Sequence, residues 1–149
     1  MQKKKIMPTA WLGLSLLLVL ALHFVCPLTK IIPFPFNLLG IVPLAFGIAI
    51  NLMADKAFLR AHTTVKPFEK SSALITGSAF RISRNPMYLG FVSILLGAAV
   101  LLGSCTPYAI AVGFAIVMDR MYIRAEEEML YHTFGKEWIE YSGCVRRWV

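Results

Sequence analysis

The chain has 149 residues, of which 58% are hydrophobic and only 15% charged, and its mean hydropathy is +0.68. Soluble domains hold roughly half apolar residues, so this composition excludes an ordinary soluble enzyme and indicates an integral membrane protein. The formal net charge of +7 does not call for nucleic acid, because cations kept on the inner side of a membrane, near anionic headgroups, explain it.

Three stretches without Asp, Glu, Lys or Arg predict the membrane-spanning part: residues 6–29, 31–54 and 85–118. About 20 residues span a bilayer core. The third stretch is therefore long enough for two helices, and Gly103 and Pro107 mark the break between them. The sequence predicts one all-α domain over residues 1–149 with four transmembrane helices, at 7–28, 37–54, 87–103 and 107–124.

The distribution of cations predicts the orientation. All but one of the 15 Lys and Arg residues flank the same ends of these helices, and the exception is Lys30. Because Lys and Arg are retained on the cytoplasmic side, both termini and the central segment are expected there. No small-residue cleavage site follows the first helix, so it is expected to stay as an anchor. We expect an integral protein of a prokaryotic plasma membrane.

Polar residues are concentrated outside the helices, in two segments at 55–88 and 119–149. The helix interiors lack the acidic or basic residues that a proton-coupled transporter carries at membrane depth. The three Cys and three His residues show no metal-ligand spacing. No GxGxxG follows a strand, which excludes a soluble dinucleotide-type fold. What remains is an enzyme at the inner membrane surface or a docking module.

The start of the third helix is a candidate binding site. Asn85 is a good N-cap and Pro86 suits the first helical position, so free backbone N–H groups and the positive end of the helix dipole would face the cytoplasmic segments. Gly90, Ser93 and Gly97 follow at helical spacing. This small-residue face allows close approach of another helix or of a ligand.

The segment at 119–149 supplies acidic residues that could complete the candidate binding site at the start of the third helix. Glu126 and Glu127 lie about 100° apart on a helix, so at most one can face a site formed with the third helix. Gly135 is predicted to end that helix as a left-handed cap. Apolar residues before and after Gly135 form an amphipathic pattern, which predicts a C-terminal amphipathic cytoplasmic helix on the membrane surface. These residues are Met129, Leu130, Phe134, Trp138 and Tyr141.

The motifs, taken in order, resemble a known family. Leu74-Ile75-Thr76-Gly77, then Phe80 through Gly90 with Arg84-Asn85-Pro86-Met87-Tyr88, then Glu126-Glu127 and Phe134-Gly135 are similar to the isoprenylcysteine carboxyl methyltransferases, which are related to the membrane phospholipid methyltransferases. The resemblance covers residues 63–148. It implies S-adenosyl-L-methionine as cofactor, bound on the cytoplasmic side by segments 62–90 and 119–148, and a lipophilic small-molecule or lipidated acceptor that arrives through the lipid bilayer.

The resemblance also implies site residues. Those predicted to bind the cofactor are Leu74, Ile75, Phe80, Asn85, Pro86, Met87, Tyr88, Gly90, Glu126 and Glu127. Eukaryotic members have histidine where this chain has Asn85, and an amide cannot act as a base. The family's acceptor-binding arginine falls at Tyr122, which leaves Arg120 and Arg124 as candidates for that role. No catalytic residue and no metal site are predicted.

The sequence therefore predicts a membrane methyltransferase with an acceptor carboxylate as first choice. Methylation of a phospholipid amine or of a thiol is the alternative within this class. A non-enzymatic membrane subunit that docks a partner or anionic lipid is the alternative from another class. No nucleic-acid partner is expected, and the oligomeric state is left open.

Overall fold

A computed structural model describes residues 6–26, 28–64, 69 and 71–149. Its helices are α1 (Pro8–Val25), α2 (Ile41–Arg60), α3 (Pro86–Leu102), α4 (Thr106–Met118), α5 (Arg124–Phe134) and α6 (Lys136–Cys144). Short 3-10 helices, Phe36–Gly40 and Ser78–Arg81, precede α2 and α3, and a π-helical turn, Asp119–Ile123, joins α4 to α5. No strand forms within the described ranges, which confirms the all-α class. The predicted segments that fall at 1–5, 27, 65–68 and 70 lie outside the described residues.

Each of the four predicted apolar helices forms. Two helical stretches, Pro8–Val25 and Phe36–Arg60, are long and apolar enough to cross a membrane by length and composition, and Pro86–Leu102 is apolar but shorter. The second helix continues to Arg60 rather than ending at 54, and α4 gives way to the π-helical turn at Met118 rather than running to 124. That all four cross a membrane stays a prediction.

The third helix lies at the centre of the bundle. It contacts α1, α2 and α4, and Leu95 and Ala99 on it are fully buried. The outer faces of α1 and α2, in contrast, expose large apolar side chains, among them Leu17, Phe46 and Leu52. An apolar exposed surface of this kind is unusual for a soluble monomer and suits lipid.

Glycines set the distance between α2 and α3. A Cβ atom on Gly40 would lie 2.5 Å from the carbonyl oxygen of Gly97, and one on Gly47 would lie 2.5 Å from the carbonyl oxygen of Gly90. Gly40 and Gly47 are seven residues apart, and so are Gly90 and Gly97. The two glycine pairs therefore form one continuous seam of backbone contact between the two antiparallel segments. The predicted role of Gly90 and Gly97 in close helix packing is confirmed, and their partners are Gly40 and Gly47.

Two connections close one end of the bundle. Gly103 ends α3 with φ +72°, as its place before Pro107 predicts, and its carbonyl oxygen accepts a hydrogen bond from the amide of Ile31 at 2.8 Å. His23 at the end of α1 is hydrogen-bonded to Ser104, with 2.8 Å between Nδ1 and Oγ. The start of α1, the end of α2 and the start of α3 therefore meet at the opposite end.

The last two helices pack on the protein through aromatic side chains that the sequence placed on the membrane surface. Trp138 and Tyr141 are buried in a cluster with Ile50 and Phe80, and the hydroxyl of Tyr141 donates to the carbonyl oxygen of Phe80 at 2.7 Å. Burial raises the pKa of Tyr141, so this hydroxyl stays protonated. The surface position predicted for both side chains is wrong, because the pattern of an apolar face is the same for lipid and for protein.

Gly135 does end α5, as predicted, but not as a left-handed helical cap. Its φ of +51° is positive and its ψ is −113°, outside the left-handed helical region. The chain turns sharply there and α6 begins at the next residue. This turn brings Trp138 and Tyr141 of α6 back against Phe80, in the 3-10 helix before α3.

Candidate functional site

A cavity opens at the end of the bundle opposite Gly103. Its walls come from the start of α1, the end of α2, the segment before α3, the first turns of α3, and the inner faces of α5 and α6. The empty space between these walls, counted out to the open mouth and the solvent there, is about 1020 Å³. Most of the described lining is apolar, and its charged members are Glu69, Arg84 and Glu126.

The helix start predicted at Asn85 and Pro86 is confirmed, but Asn85 does not cap the helix with its side chain. Its amide nitrogen instead donates to Glu127 Oε1 at 3.2 Å and to the carbonyl oxygen of Arg147 at 3.3 Å. The backbone amide of Asn85 donates to the hydroxyl of Ser83 at 3.0 Å. Asn85 therefore joins the start of α3 to α5 and to the segment after α6.

Tyr88 and Glu126 meet inside the cavity. The Tyr88 hydroxyl donates to Glu126 Oε1 at 2.7 Å, and both side chains line the cavity. The pKa of Glu126 is raised to about 7: burial is the largest cause, the hydrogen bond from Tyr88 opposes it, and the nearby charge of Glu127 adds to it. The cavity thus holds a carboxylate whose charge changes near neutral pH, as candidate functional groups often do.

Glu127 faces away from the cavity into a network of charged side chains. Arg147 donates to its Oε2 through Nη2 at 2.7 Å and through Nε at 3.1 Å, and Arg84 Nε lies 3.5 Å from its Oε1. Arg147 also reaches Asp119, with 3.3 Å between Nη1 and Oδ1. Of the two neighbouring glutamates, Glu126 is the one that faces the cavity.

The structure brings together most of the residues predicted to bind the cofactor. The predicted residues that line the cavity are Leu74, Ile75, Phe80, Asn85, Pro86, Met87, Tyr88 and Glu126. Two others lie outside it: Gly90 packs against Gly47 of α2, and Glu127 is held by Arg147.

The arginines proposed to bind the acceptor lie elsewhere. Neither Arg120 nor Arg124 lines the cavity, and the Arg124 side chain is 62% exposed and pairs with Asp119 at 3.1 Å. Tyr122, at the position of the family's arginine, is buried. Its hydroxyl accepts a hydrogen bond from Trp11 Nε1 at 3.1 Å and donates to the carbonyl oxygen of Ile6. Tyr122 therefore joins the start of α1 to the bundle.

Sequence reasoning missed several parts of the cavity wall. Phe58 contributes from the end of α2, and Met7, Pro8 and Thr9 contribute from the start of α1. Nothing in their local sequence marks them as site residues. Arg84 could have been predicted as a wall residue, because it directly precedes Asn85. Its guanidinium carbon lies 5.7 Å from the centre of the Trp138 ring, which is a cation–π distance.

The sequence matches the family described as phospholipid methyltransferase over residues 36–137. This match covers more than half of the chain, from the turn before α2 to the second residue of α6. The chain belongs to the phospholipid methyltransferase family. The matched region contains the start of α3 and both glutamates of α5.

Curated relatives carry the name of the enzymes that the motifs resemble. Protein-S-isoprenylcysteine O-methyltransferase A of Arabidopsis thaliana is 31% identical over 132 residues, which are 79% of this chain and 64% of the relative. The protein-S-isoprenylcysteine O-methyltransferase of Xenopus laevis is 28% identical over 117 residues, 73% of this chain and 38% of the relative. The chain thus spans less than two thirds of the length of these relatives. The family resemblance is confirmed, and no solved structure matches the chain.

Proposed function

We propose that this protein is a membrane methyltransferase that uses S-adenosylmethionine to methylate a lipophilic acceptor. The observation that carries the proposal is the cavity in which Glu126, with Tyr88 as its hydrogen-bond donor, faces apolar walls, in a chain of a methyltransferase family. The membrane setting is supported by the two long apolar helices and by the large apolar side chains exposed on α1 and α2.

The residues of the cavity fit S-adenosylmethionine. A partly buried carboxylate suits ammonium and hydroxyl donors, and Glu126 provides one. The adenine ring needs an apolar or aromatic surface, which Leu74, Ile75, Phe80 and Met87 provide. When bound, the cofactor supplies a methyl group on a sulfonium, already activated for in-line displacement by the acceptor.

The protein's own contribution is alignment and exclusion of water. Tyr88 fixes the orientation of the Glu126 carboxylate through its 2.7 Å hydrogen bond. Asn85 and Pro86 line the cavity at the start of α3, and the apolar walls would keep water from the reacting groups. We assign Glu127 and Gly90 to positioning and helix packing, because neither lines the cavity.

The first-choice acceptor is a carboxylate carried by a lipophilic molecule, as the names of the relatives suggest. Arg84 is the cation on the described cavity wall, and it lies beside Glu127; Arg120 and Arg124 lie outside the wall. A phospholipid amine is the second candidate. It is favoured by a further carboxylate, that of Glu69, on the same described wall.

A transfer assay tests the proposal and separates these acceptors. Purified protein in lipid would be given methyl-labelled cofactor with a prenylcysteine carboxylate, with phosphatidylethanolamine, or with extracted native lipids. We expect label in one of these lipophilic products, and its loss in Glu126→Ala but not in Glu128→Ala, whose side chain lies on the exposed face of the same helix. Absence of both transfer and cofactor binding would favour the docking subunit.

A further inference from the structure

Arg84 is a cation on the cavity wall whose hydrogen-bonding capacity is not filled by the described part of the chain. It lines the cavity next to Asn85, and only 17% of its side chain is exposed. Its Nε atom is buried and has no hydrogen-bond partner among the described residues. A buried donor without a partner is costly, and more so when it carries charge. Arg84 therefore lacks an acceptor that a ligand in the cavity could supply.

The carboxylate beside Arg84 is already bound by another arginine. Glu127 Oε1 lies 3.5 Å from Arg84 Nε, but Arg147 donates two hydrogen bonds to the Oε2 of Glu127, at 2.7 Å and 3.1 Å. The second carboxylate of this network, Asp119, pairs with Arg147 and with the exposed Arg124. Three arginines thus share two carboxylates. The positive charge in excess can face the cavity at Arg84, the arginine among them that lines it.

The place of the Arg84 guanidinium is fixed before any ligand binds. Its central carbon lies 5.7 Å from the centre of the Trp138 ring, and Trp138 is buried. The backbone amide of Arg84 donates to the carbonyl oxygen of Arg146 at 3.0 Å. The hydroxyl of the preceding residue, Ser83, donates to the carbonyl oxygen of Arg147 at 2.9 Å. A group held in this way loses little freedom when it binds a ligand.

The chemistry of a guanidinium selects the kind of group that it binds. Its planar fork of N–H donors matches the two oxygens of a carboxylate. S-adenosylmethionine carries one carboxylate, next to its ammonium group. Glu126 has the wrong sign for that carboxylate, and Arg84 is the cation on the described wall. An acceptor could bring a second carboxylate, but the carboxylate of the cofactor is present whatever the acceptor is.

We infer that Arg84 binds a carboxylate in this cavity, and that this carboxylate belongs to the cofactor. The amino-acid part of the cofactor is then held by two side chains of opposite charge, with its ammonium group at Glu126 and its carboxylate at Arg84. The inference rests on the proposed function, because it takes S-adenosylmethionine as the cofactor.

The test compares two ligands by calorimetry with the full chain in a neutral detergent. They are S-adenosylhomocysteine and its decarboxylated analogue, which keeps the amine and lacks only the carboxylate. The wild type should bind S-adenosylhomocysteine about ten-fold or more tightly than the analogue, as expected for a hydrogen bond between charged groups. Arg84→Met should lose this preference: S-adenosylhomocysteine should bind about ten-fold or more weakly than to the wild type, and the affinity for the analogue should not change.

Two further variants separate recognition of the carboxylate from other effects. Arg81→Met is the matched control, because Arg81 is exposed three residues earlier and does not line the cavity; it removes the same charge and should keep the full preference. Arg84→Lys retains the charge beside Glu127 but not the planar fork, so it should reduce the preference. It provides a second route if Arg84→Met does not fold.

A transfer assay with a prenylcysteine carboxylate distinguishes the two sources of the carboxylate. With cofactor at saturation, Arg84→Met should leave the KM for this acceptor unchanged. A raised KM for the acceptor, together with unchanged affinity for S-adenosylhomocysteine, would assign Arg84 to the acceptor and overturn the inference.

Three other results would also overturn it. They are equal affinity of the wild type for the two ligands, equal weakening of both ligands in Arg84→Met, and loss of the preference in Arg81→Met. If the wild type does not bind S-adenosylhomocysteine at all, the proposed function fails together with the inference. If the wild type binds it and one of these results appears, only the role of Arg84 is wrong.

Discussion

Tyr88 donates its hydroxyl hydrogen to Glu126 at 2.7 Å within an apolar cavity, so Tyr88→Phe tests the hydrogen bond without removing the ring. A hydrogen bond to a charged group contributes about 1.5–3 kcal/mol. We expect the affinity for S-adenosylhomocysteine to fall about ten-fold, with little change in thermal unfolding. Tyr131→Phe, on an exposed ring of α5, is the control. Equal affinity in wild type and Tyr88→Phe would show that this hydroxyl does not orient the carboxylate.

Glu126 should make cofactor binding depend on pH. Its pKa is raised by burial from 4.5 to about 7, and an ammonium group requires the ionised form. Affinity should therefore rise with pH up to about 7, by at most about ten-fold per unit, and level off above it. Glu126→Gln should abolish this dependence. A wild-type affinity that is constant from about pH 5.5 to about pH 8.5 would contradict the assignment.

The raised pKa of Glu126 makes the stability of the folded protein change with pH in the direction opposite to cofactor binding. Between pH 4.5 and about 7 the folded protein keeps a proton on Glu126 that the unfolded chain has released. The contribution of this group to stability is therefore fully present below pH 4.5 and is lost as the pH rises through about 7. Glu126→Gln should remove that part of the pH dependence of unfolding. Binding and stability thus change in opposite directions with pH.

The sequence identifies the right pair of residues but cannot choose between them. Helical spacing shows that Glu126 and Glu127 point in directions about 100° apart. The choice depends on the π-helical turn before them, and Glu127 is the one that contacts Arg147, 20 residues further along the chain. Local pattern carries no information about such a distant contact.

At the scale of elements, the seam between α2 and α3 depends on glycine. Gly47→Ala would place a Cβ atom 2.5 Å from the carbonyl oxygen of Gly90, so the two helices must separate. Overpacking of this kind costs about 1–3 kcal/mol. We expect a clear fall in the thermal unfolding temperature in detergent. In Gly113→Ala, the added Cβ meets nothing within 4 Å, and better helix propensity should raise stability slightly. Equal effects of the two changes would contradict the seam.

The two ends of α3 could be predicted because their causes are local. Asn85-Pro86 marks the start of α3 and Gly103 its end, and both signals follow from backbone conformation. The environment of α6 could not be predicted, since an apolar helix face can pack equally well against lipid or against protein. Trp138 and Tyr141 are buried against Phe80 only because Gly135 turns the chain back on itself.

At the scale of the whole molecule, the predicted meeting of the start of α3 with the acidic residues after α4 is confirmed. Tyr88 contacts Glu126, and Asn85 contacts Glu127. The grouping of cations at one end of the helices already implied that these segments share a side. The contribution of α1 could not be predicted, because Met7, Pro8 and Thr9 reach the cavity only through the packing of α1 beside α3 and α4.

The most direct test of the central claim is calorimetric titration of the detergent-solubilised protein with S-adenosylhomocysteine. The account predicts micromolar binding by the wild type, a loss of about ten-fold or more in Glu126→Ala, and unchanged binding in Glu128→Ala, which removes an equal charge from the exposed face of the same helix. Absence of wild-type binding in several detergents, or equal binding by the wild type and Glu126→Ala, would contradict it.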